Sequence, residues 1–271
     1  MDKVTSFEQY KKVIAKAKQS GFQLTNCFFL AAETREKLEK GSLFFHVIEN
    51  GLLLLDDLGD FYRCYYYLSG DKRPSKVRLS KNAVIELPFT GELADKQREQ
   101  VRIINLMGFK LGRESGLMSL PSEKILDVND RKAPVQSSFA MRGDAAQIYA
   151  LLYQTFDPLY AFLPSMAELE NSIDHKMIFT IHDGEKVSAF LNSRFEKRTA
   201  FINHIVVDRQ FRGRGYGELL IKAYHEKYHR DVATFQHWVD LDNHAAINMY
   251  RKFGYKFSLR KANEYILMME E

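Results

Sequence analysis

The sequence is poor in cysteine: its 271 residues hold two, Cys27 and Cys64. They match no metal-ligand spacing and build no disulfide framework, so reduced thiols in a cytoplasmic setting are expected. Long apolar runs are missing too. The longest, Cys27–Ala32 and Gly51–Leu55, fall far short of a membrane span. No apolar stretch follows Met1-Asp2-Lys3-Val4-Thr5, so neither a membrane partner nor a secretory leader is expected. The excess of one sign of charge is small. The net charge of +4 is spread along the chain without a block of like residues, and no nucleic-acid partner is expected. His237, Asp240, Asp242 and His244 are close in sequence, but a calcium loop needs glycine at its sixth position and Ala245 stands there. No metal is expected.

What is present is apolar mass, 45% of residues, enough for two cores in a chain of two-domain length. Phe7, Tyr10, Ile14 and Ala17 recur at helical spacing and predict a helix over Asp2–Ser20 with Gly21 as its C-cap. Residues 43–50, 52–58 and 61–68 read as strands about turns at Glu49-Asn50-Gly51 and Gly59-Asp60. Val84–Pro88 reads as a strand and Leu93–Leu106 as a helix ending at Gly108. Tyr62, Tyr65, Tyr66 and Tyr67 suit sheet packing better than a base-stacking platform.

Residues 121–136 read as a linker and divide the chain into domains at 1–128 and 135–271. The second begins with a strand at Ser137–Arg142 and a helix at Ala145–Phe156 capped by Gly143-Asp144. Ser165 and Glu168 form a capping-box pattern. Met177–His182 and Lys186–Arg194 are strands joined at Asp183-Gly184, and Ala200–Val207 is a third. A helix at Gly215–Tyr228, a strand at Ala233–Val239, a helix at Ala245–Phe253 and closing strands at Tyr255–Leu259 and Glu264–Met269 complete the order. The class is α/β, more narrowly α+β, with a mixed, mostly antiparallel sheet flanked by helices. Leu106-Met-Gly-Phe-Lys-Leu111 and Lys252-Phe-Gly-Tyr-Lys-Phe257 echo one another, with glycines 146 residues apart, and predict two tandem units.

The informative stretch runs from Ile205 to Gly217: Ile-Val-Val-Asp-Arg-Gln-Phe-Arg-Gly-Arg-Gly-Tyr-Gly. A strand enters a glycine-rich turn that opens a helix. Glycines let main-chain N–H groups approach a ligand, and the helix N-terminus favours an anion. Arg212 and Arg214 add positive charge, so the turn suits a pyrophosphate. No Gly-Lys-Ser/Thr follows, which excludes a Walker loop. Glu218 stands where a dinucleotide fingerprint needs its third glycine.

Arg212, Gly215 and Gly217 form Arg-x-x-Gly-x-Gly. Twenty-six residues on, Asn243, Ala246, Met249, Tyr250, Gly254 and Tyr255 fill Asn-x-x-Ala-x-x-aliphatic-Tyr-x-x-x-Gly-aromatic. The two together resemble the signatures of GNAT superfamily N-acetyltransferases, over about the last 135 residues. The resemblance implies acetyl-CoA as donor, with CoA as product, and an amine acceptor, either a small molecule or a peptide. It implies main-chain pairing of Ile205 and Val207 with pantetheine, and a pyrophosphate held by Arg212, Gly213, Arg214, Gly215, Tyr216 and Gly217. It further implies a pantetheine contact at Asn243 and Tyr250 as the general acid.

The sequence departs from the family where relatives often carry a carboxylate. Phe201, Asn203, Ile205 and Val207 are expected to share one strand face, with His204 on the other unless a bulge intervenes. Phe201 and Asn203 cannot serve as a base, which leaves a non-catalytic acyl-CoA-binding regulatory module as the alternative. The first unit lacks the Arg-x-x-Gly-x-Gly turn. The acidic Phe89–Asp95 segment before its last helix is expected to repel a pyrophosphate, so the first unit reads as a degenerate copy.

Overall fold

The computed structural model describes residues 1–70, 74–125 and 137–269. It comprises two compact units, Met1–Glu114 with Arg260–Glu271, and Ser115–Leu259. In chain order the elements are β1 (Asp2–Lys3), α1 (Phe7–Gln19), β2 (Leu24–Thr25), α2 (Ala31–Glu39), β3 (Leu43–Ile48), β4 (Gly51–Asp57), β5 (Phe61–Leu68), β6 (Asn82–Thr90), α3 (Asp95–Leu106) and β7 (Lys110–Pro121). They continue with β8 (Ser138–Phe139), α4 (Ala145–Thr155), α5 (Met166–Asp174), β9 (Ile178–Asp183), β10 (Lys186–Glu196), β11 (Thr199–Val207), α6 (Tyr216–Tyr228), β12 (Thr234–Asp240), α7 (His244–Lys252) and β13 (Lys256–Leu267).

The sheet of the first unit runs β1-β3-β4-β5-β6 and is completed by the second half of β13, whose Arg260–Leu267 pair antiparallel with Thr90–Ala83. The sheet of the second runs β8-β9-β10-β11-β12 and is completed by the second half of β7, whose Ser115–Pro121 pair antiparallel with Asp240–Thr234. In each, the only parallel pairing among the described residues is the fourth, β5 with β6 and β11 with β12. The order and sense of the strands are therefore the same in both. A single cut between 128 and 135 does not describe this packing. Residues 115–121 and 260–267 each join the sheet on the other side of that cut.

Each sheet is covered on both faces. In the second unit Leu220, Ile221 and Tyr224 of α6 and Ile247 and Tyr250 of α7 pack on one face. Ile148 and Leu152 of α4 and Leu169 and Ile173 of α5 pack on the other. Burial on this scale, about 1.5–3 kcal/mol per large apolar side chain, is the main force holding such layers. In the first unit Ile103 and Ile104 of α3 and Ile14 and Ala17 of α1 play these parts. Tyr62, Tyr66 and Tyr67 lie in those cores, as sheet packing requires.

Several boundaries differ from the sequence reading. α1 starts at Phe7 rather than Asp2, because Ser6 caps it, accepting from the Gln9 N–H at 3.1 Å, while Asp2 and Lys3 pair with β3. α2 was not foreseen, although Ala31–Glu39 holds good helix formers and neither glycine nor proline. The strand expected at Ser137–Arg142 is only Ser138–Phe139. Asp144 does not cap α4 with its side chain but accepts from the Met141 N–H at 2.8 Å and meets His182 at 2.9 Å. The two closing strands are one, β13, since the charges at Arg260 and Lys261 are exposed and leave the backbone ladder intact. Residues 126–136 of the expected linker lie outside the described residues.

Candidate functional site

β11 ends at Val207 and a 3-10 turn, Arg209–Phe211, leads into the glycines. Phe211 is buried and stacks on Tyr216 at 6.2 Å, which pins both ends of the turn to the core. Gly213 and Gly215 have φ of 80° and 79°, a region costly for residues with a Cβ, and nothing lies within 4 Å of where a Cβ would stand at either. Gly215 is the N-cap of α6 and offers no side-chain hydrogen bond, so the first N–H groups of the helix are not capped from within. Arg212 and Arg214 are exposed beside them. The Arg212 Nε donates to the Val207 carbonyl at 3.3 Å, and the Arg214 guanidinium lies 5.0 Å from the Phe211 ring. This is an open cradle of donors with added positive charge, which suits a diphosphate.

Gly217 has a different task. A Cβ there would stand 2.9 Å from the Met249 sulfur, so its absence lets α7 approach the first turn of α6. Lys252 and Glu218 join the same two helices at 2.7 Å. The two sequence signatures are thus packed against each other.

β11 and β12 pair only over Thr199–Phe201 and Thr234–Gln236, and then diverge. Among the described residues no other strand takes the edge of Ile202–Val207 that faces β12. A bulge stands at the same level: Ile202 pairs with Ser193 and His204 with Asn192, so Asn203 is the extra residue. This overturns the expectation that Phe201, Asn203, Ile205 and Val207 share a face. Ala200, Ile202, Ile205 and Val207 pack with the α6 core, and His204 and Val206 turn to the α4 side. Asn203 is exposed and accepts a hydrogen bond from Arg194.

His204 is buried 5.2 Å from Phe156, and its Nδ1 has no partner among the described residues. Burial first, and the Arg194 charge second, push its pKa down to about 4, so the ring is neutral at pH 7. Asn243 caps α7, its Oδ1 accepting from the Ala246 N–H at 3.1 Å. Tyr250 is buried in the α6 core against His237 and Tyr255. Burial raises its pKa, so the phenol keeps its proton at neutral pH.

The sequence model of the acetyltransferase (GNAT) family matches residues 145–255, spanning the cradle, the diverging strands and Tyr250. Residues 145–255 carry a GNAT-family domain. No curated protein matches the sequence. Solved GNAT structures cover both units. A GCN5-related N-acetyltransferase from Sphaerobacter thermophilus has 12% identity and a TM-score of 0.57, over 96% of this chain and 91% of that one. A GNAT acetyltransferase from Colwellia psychrerythraea has 12% identity and a TM-score of 0.51, over 99% of both chains. A tandem GNAT protein of the clavulanic acid biosynthesis pathway has 14% identity and a TM-score of 0.51, over 82% and 80%. At these identities the likeness is one of fold, and it fits the two-unit arrangement.

The strand order corrects one comparison between the GNAT unit and the first unit. β6 corresponds to β12, so Phe89–Asp95 corresponds to the loop before α7 and not to the glycine turn. The counterpart of the turn and of α6 is the connection from β5 to β6, residues 69–81, whose described part holds no helix. No helix of the described residues is long and apolar enough to cross a membrane.

Proposed function

We propose that the second unit is an N-acetyltransferase that takes acetyl-CoA as donor and a small-molecule or peptide amine as acceptor, acting in the cytoplasm without a metal. The observation that carries this is the convergence, in one unit, of the open glycine cradle, the unpaired β11 edge and a protonated Tyr250. When bound, acetyl-CoA supplies the acyl group as a thioester. Arg212, Gly213, Arg214, Gly215, Tyr216 and Gly217 would hold its pyrophosphate, with donors aimed by the helix N-terminus. The main chain of Ile205 and Val207 would pair with the pantetheine as an added strand does, and the Asn243 side chain would contact it. The amine nitrogen would bond to the acyl carbon as the carbon–sulfur bond breaks; Tyr250 would give its hydroxyl proton to the departing sulfur, and the proton shed by the acylated nitrogen would return to the Tyr250 phenolate through water. Transfer is direct, since both cysteines of the chain are buried in the first unit.

Phe201 and Asn203 offer no carboxylate, which favours a second reading, a non-catalytic acyl-CoA-binding module that regulates. Tyr250→Phe separates the two. In a catalyst it lowers kcat with amine acceptors by about 10²-fold or more and leaves CoA affinity in place. An affinity-only protein shows no turnover to lose.

A further inference from the structure

The first unit has its own pair of diverging strands, and there the gap is filled. β5 and β6 pair only over Phe61–Arg63 and Asn82–Val84. Farther along, Tyr67 and Leu68 pair with Leu52 and Gly51 of β4 on one edge, and with Thr25 and Leu24 of β2 on the other. A strand has two edges, so β2 lies on the edge of β5 that β6 has left. Asn26, the next residue, spans the gap. Its Nδ2 donates to the Glu86 carbonyl of β6 at 3.1 Å and to the Cys64 carbonyl of β5 at 3.4 Å, and its Oδ1 accepts from the Tyr66 N–H at 2.9 Å. The side chain is buried, and Gln100 of α3 donates to the Thr25 carbonyl at 3.3 Å from behind.

A carboxamide carries the same donor and acceptor as a peptide unit. Asn26 thus continues the ladder sideways where β5 and β6 stand too far apart to pair. We propose that Leu24–Asn26 is a built-in ligand of the first unit: it takes the edge that the second unit offers to a pantetheine arm, and it restricts the chain to a single donor site. The inference rests on the assignment of the β11 edge as that site.

Two features make the occupation lasting. The segment is tethered, so it binds at a high effective concentration and without the loss of free translation that a separate ligand suffers. Its removal takes the Asn26 bonds from the buried Tyr66 N–H and Cys64 carbonyl and from the part-buried Glu86 carbonyl, a penalty a competing ligand would have to offset bond for bond. The described part of residues 69–81 also provides no helix N-terminus for a phosphate.

The test combines amide exchange at Tyr66 in the full chain with calorimetric CoA stoichiometry. The proposal expects one CoA per chain, none in Gly215→Glu, and a protected Tyr66 amide whose exchange does not respond to saturating CoA. Asn26→Leu should speed exchange at Tyr66 by about tenfold or more while CoA affinity stays unchanged. A second CoA equivalent in the wild type, CoA binding that survives in Gly215→Glu, or a Tyr66 amide that exchanges freely would overturn it. If Asn26→Leu does not fold, the wild-type exchange and stoichiometry still decide. A chain that binds no CoA removes the donor-site reading of the second unit, whereas the Tyr66 exchange reports on the Asn26 bridge regardless.

Discussion

His237 lies nearly flat against Tyr250, ring centroids 3.5 Å apart and planes 27° from parallel. Both His237 nitrogens are buried without a partner among the described residues, and burial lowers its pKa to about 3. The phenol therefore faces a neutral ring and not a cation. A cation there would ease its ionisation, whereas a dry neutral neighbour works with burial to keep it protonated.

The rate profile should show this. A Tyr250 acid with a raised pKa stays protonated as pH climbs through about 10, the ordinary tyrosine value. The alkaline loss of kcat that belongs to it is expected above that point and should be absent from the residual activity of Tyr250→Phe. A limb well below pH 10 that the variant lacks would mean the phenol ionises more easily than its surroundings allow.

Stability should fall in mild acid. Burial lowers His204 and His225 to about 4 and His237 to about 3. In the unfolded chain each has its ordinary value, roughly 6.5, so between there and 4 the unfolded state binds more protons and stability rises with pH. The contribution is fully present at neutral pH and is lost on acidification through that window, on the order of 1–3 kcal/mol for each histidine. Urea midpoints should drop between pH 7.5 and pH 5, and less steeply in His237→Phe. Equal midpoints at the two pH values would show that these rings are not buried neutral.

Gly51 should be intolerant. A Cβ there would stand 2.3 Å from the Tyr67 carbonyl oxygen, and a backbone atom in a central strand cannot yield. Gly51→Ala is expected to destabilise the first unit by about 2–4 kcal/mol, seen as a lower Tm, while CoA affinity measured below the transition is unchanged. A variant as stable as the wild type would show that β4 and β5 can move apart at little cost.

Much of the architecture was legible in local signals. Ser165 and Glu168 do form the capping box, with the Glu168 N–H donating to the Ser165 Oγ at 3.3 Å and the Ser165 N–H donating to Glu168 at 2.8 Å. The echo about Gly108 and Gly254 marks equivalent places: both have positive φ, 103° and 88°, and each precedes a twelve-residue strand, β7 or β13. The signature residues of α6 and α7 lie on the elements their spacing implied.

The rest depended on partners distant in sequence. Asn50-Gly51 looks like a turn dipeptide, yet Gly51 is a strand residue selected by the nearness of Tyr67. The bulge at Asn203 exists only in relation to Asn192 and Ser193 of the neighbouring strand, so counting alternate residues along β11 misassigned Phe201. Leu24–Asn26 carries no local mark of its role, which is set by carbonyls at positions 64 and 86. That the Phe89–Asp95 loop corresponds to the loop before α7 required the sheet order.

The most direct test of the donor site is calorimetric titration of acetyl-CoA into the wild type and into Gly215→Glu. Nothing lies within 4 Å of a Cβ at Gly215, so the variant should fold. Its carboxylate would put negative charge in the cradle, and its side chain would strain the positive φ that aims the N–H groups. The account predicts saturable binding of one acetyl-CoA per wild-type chain and none to the variant. A folded wild type that takes up no acetyl-CoA, or a variant that binds it as well as the wild type does, would contradict it.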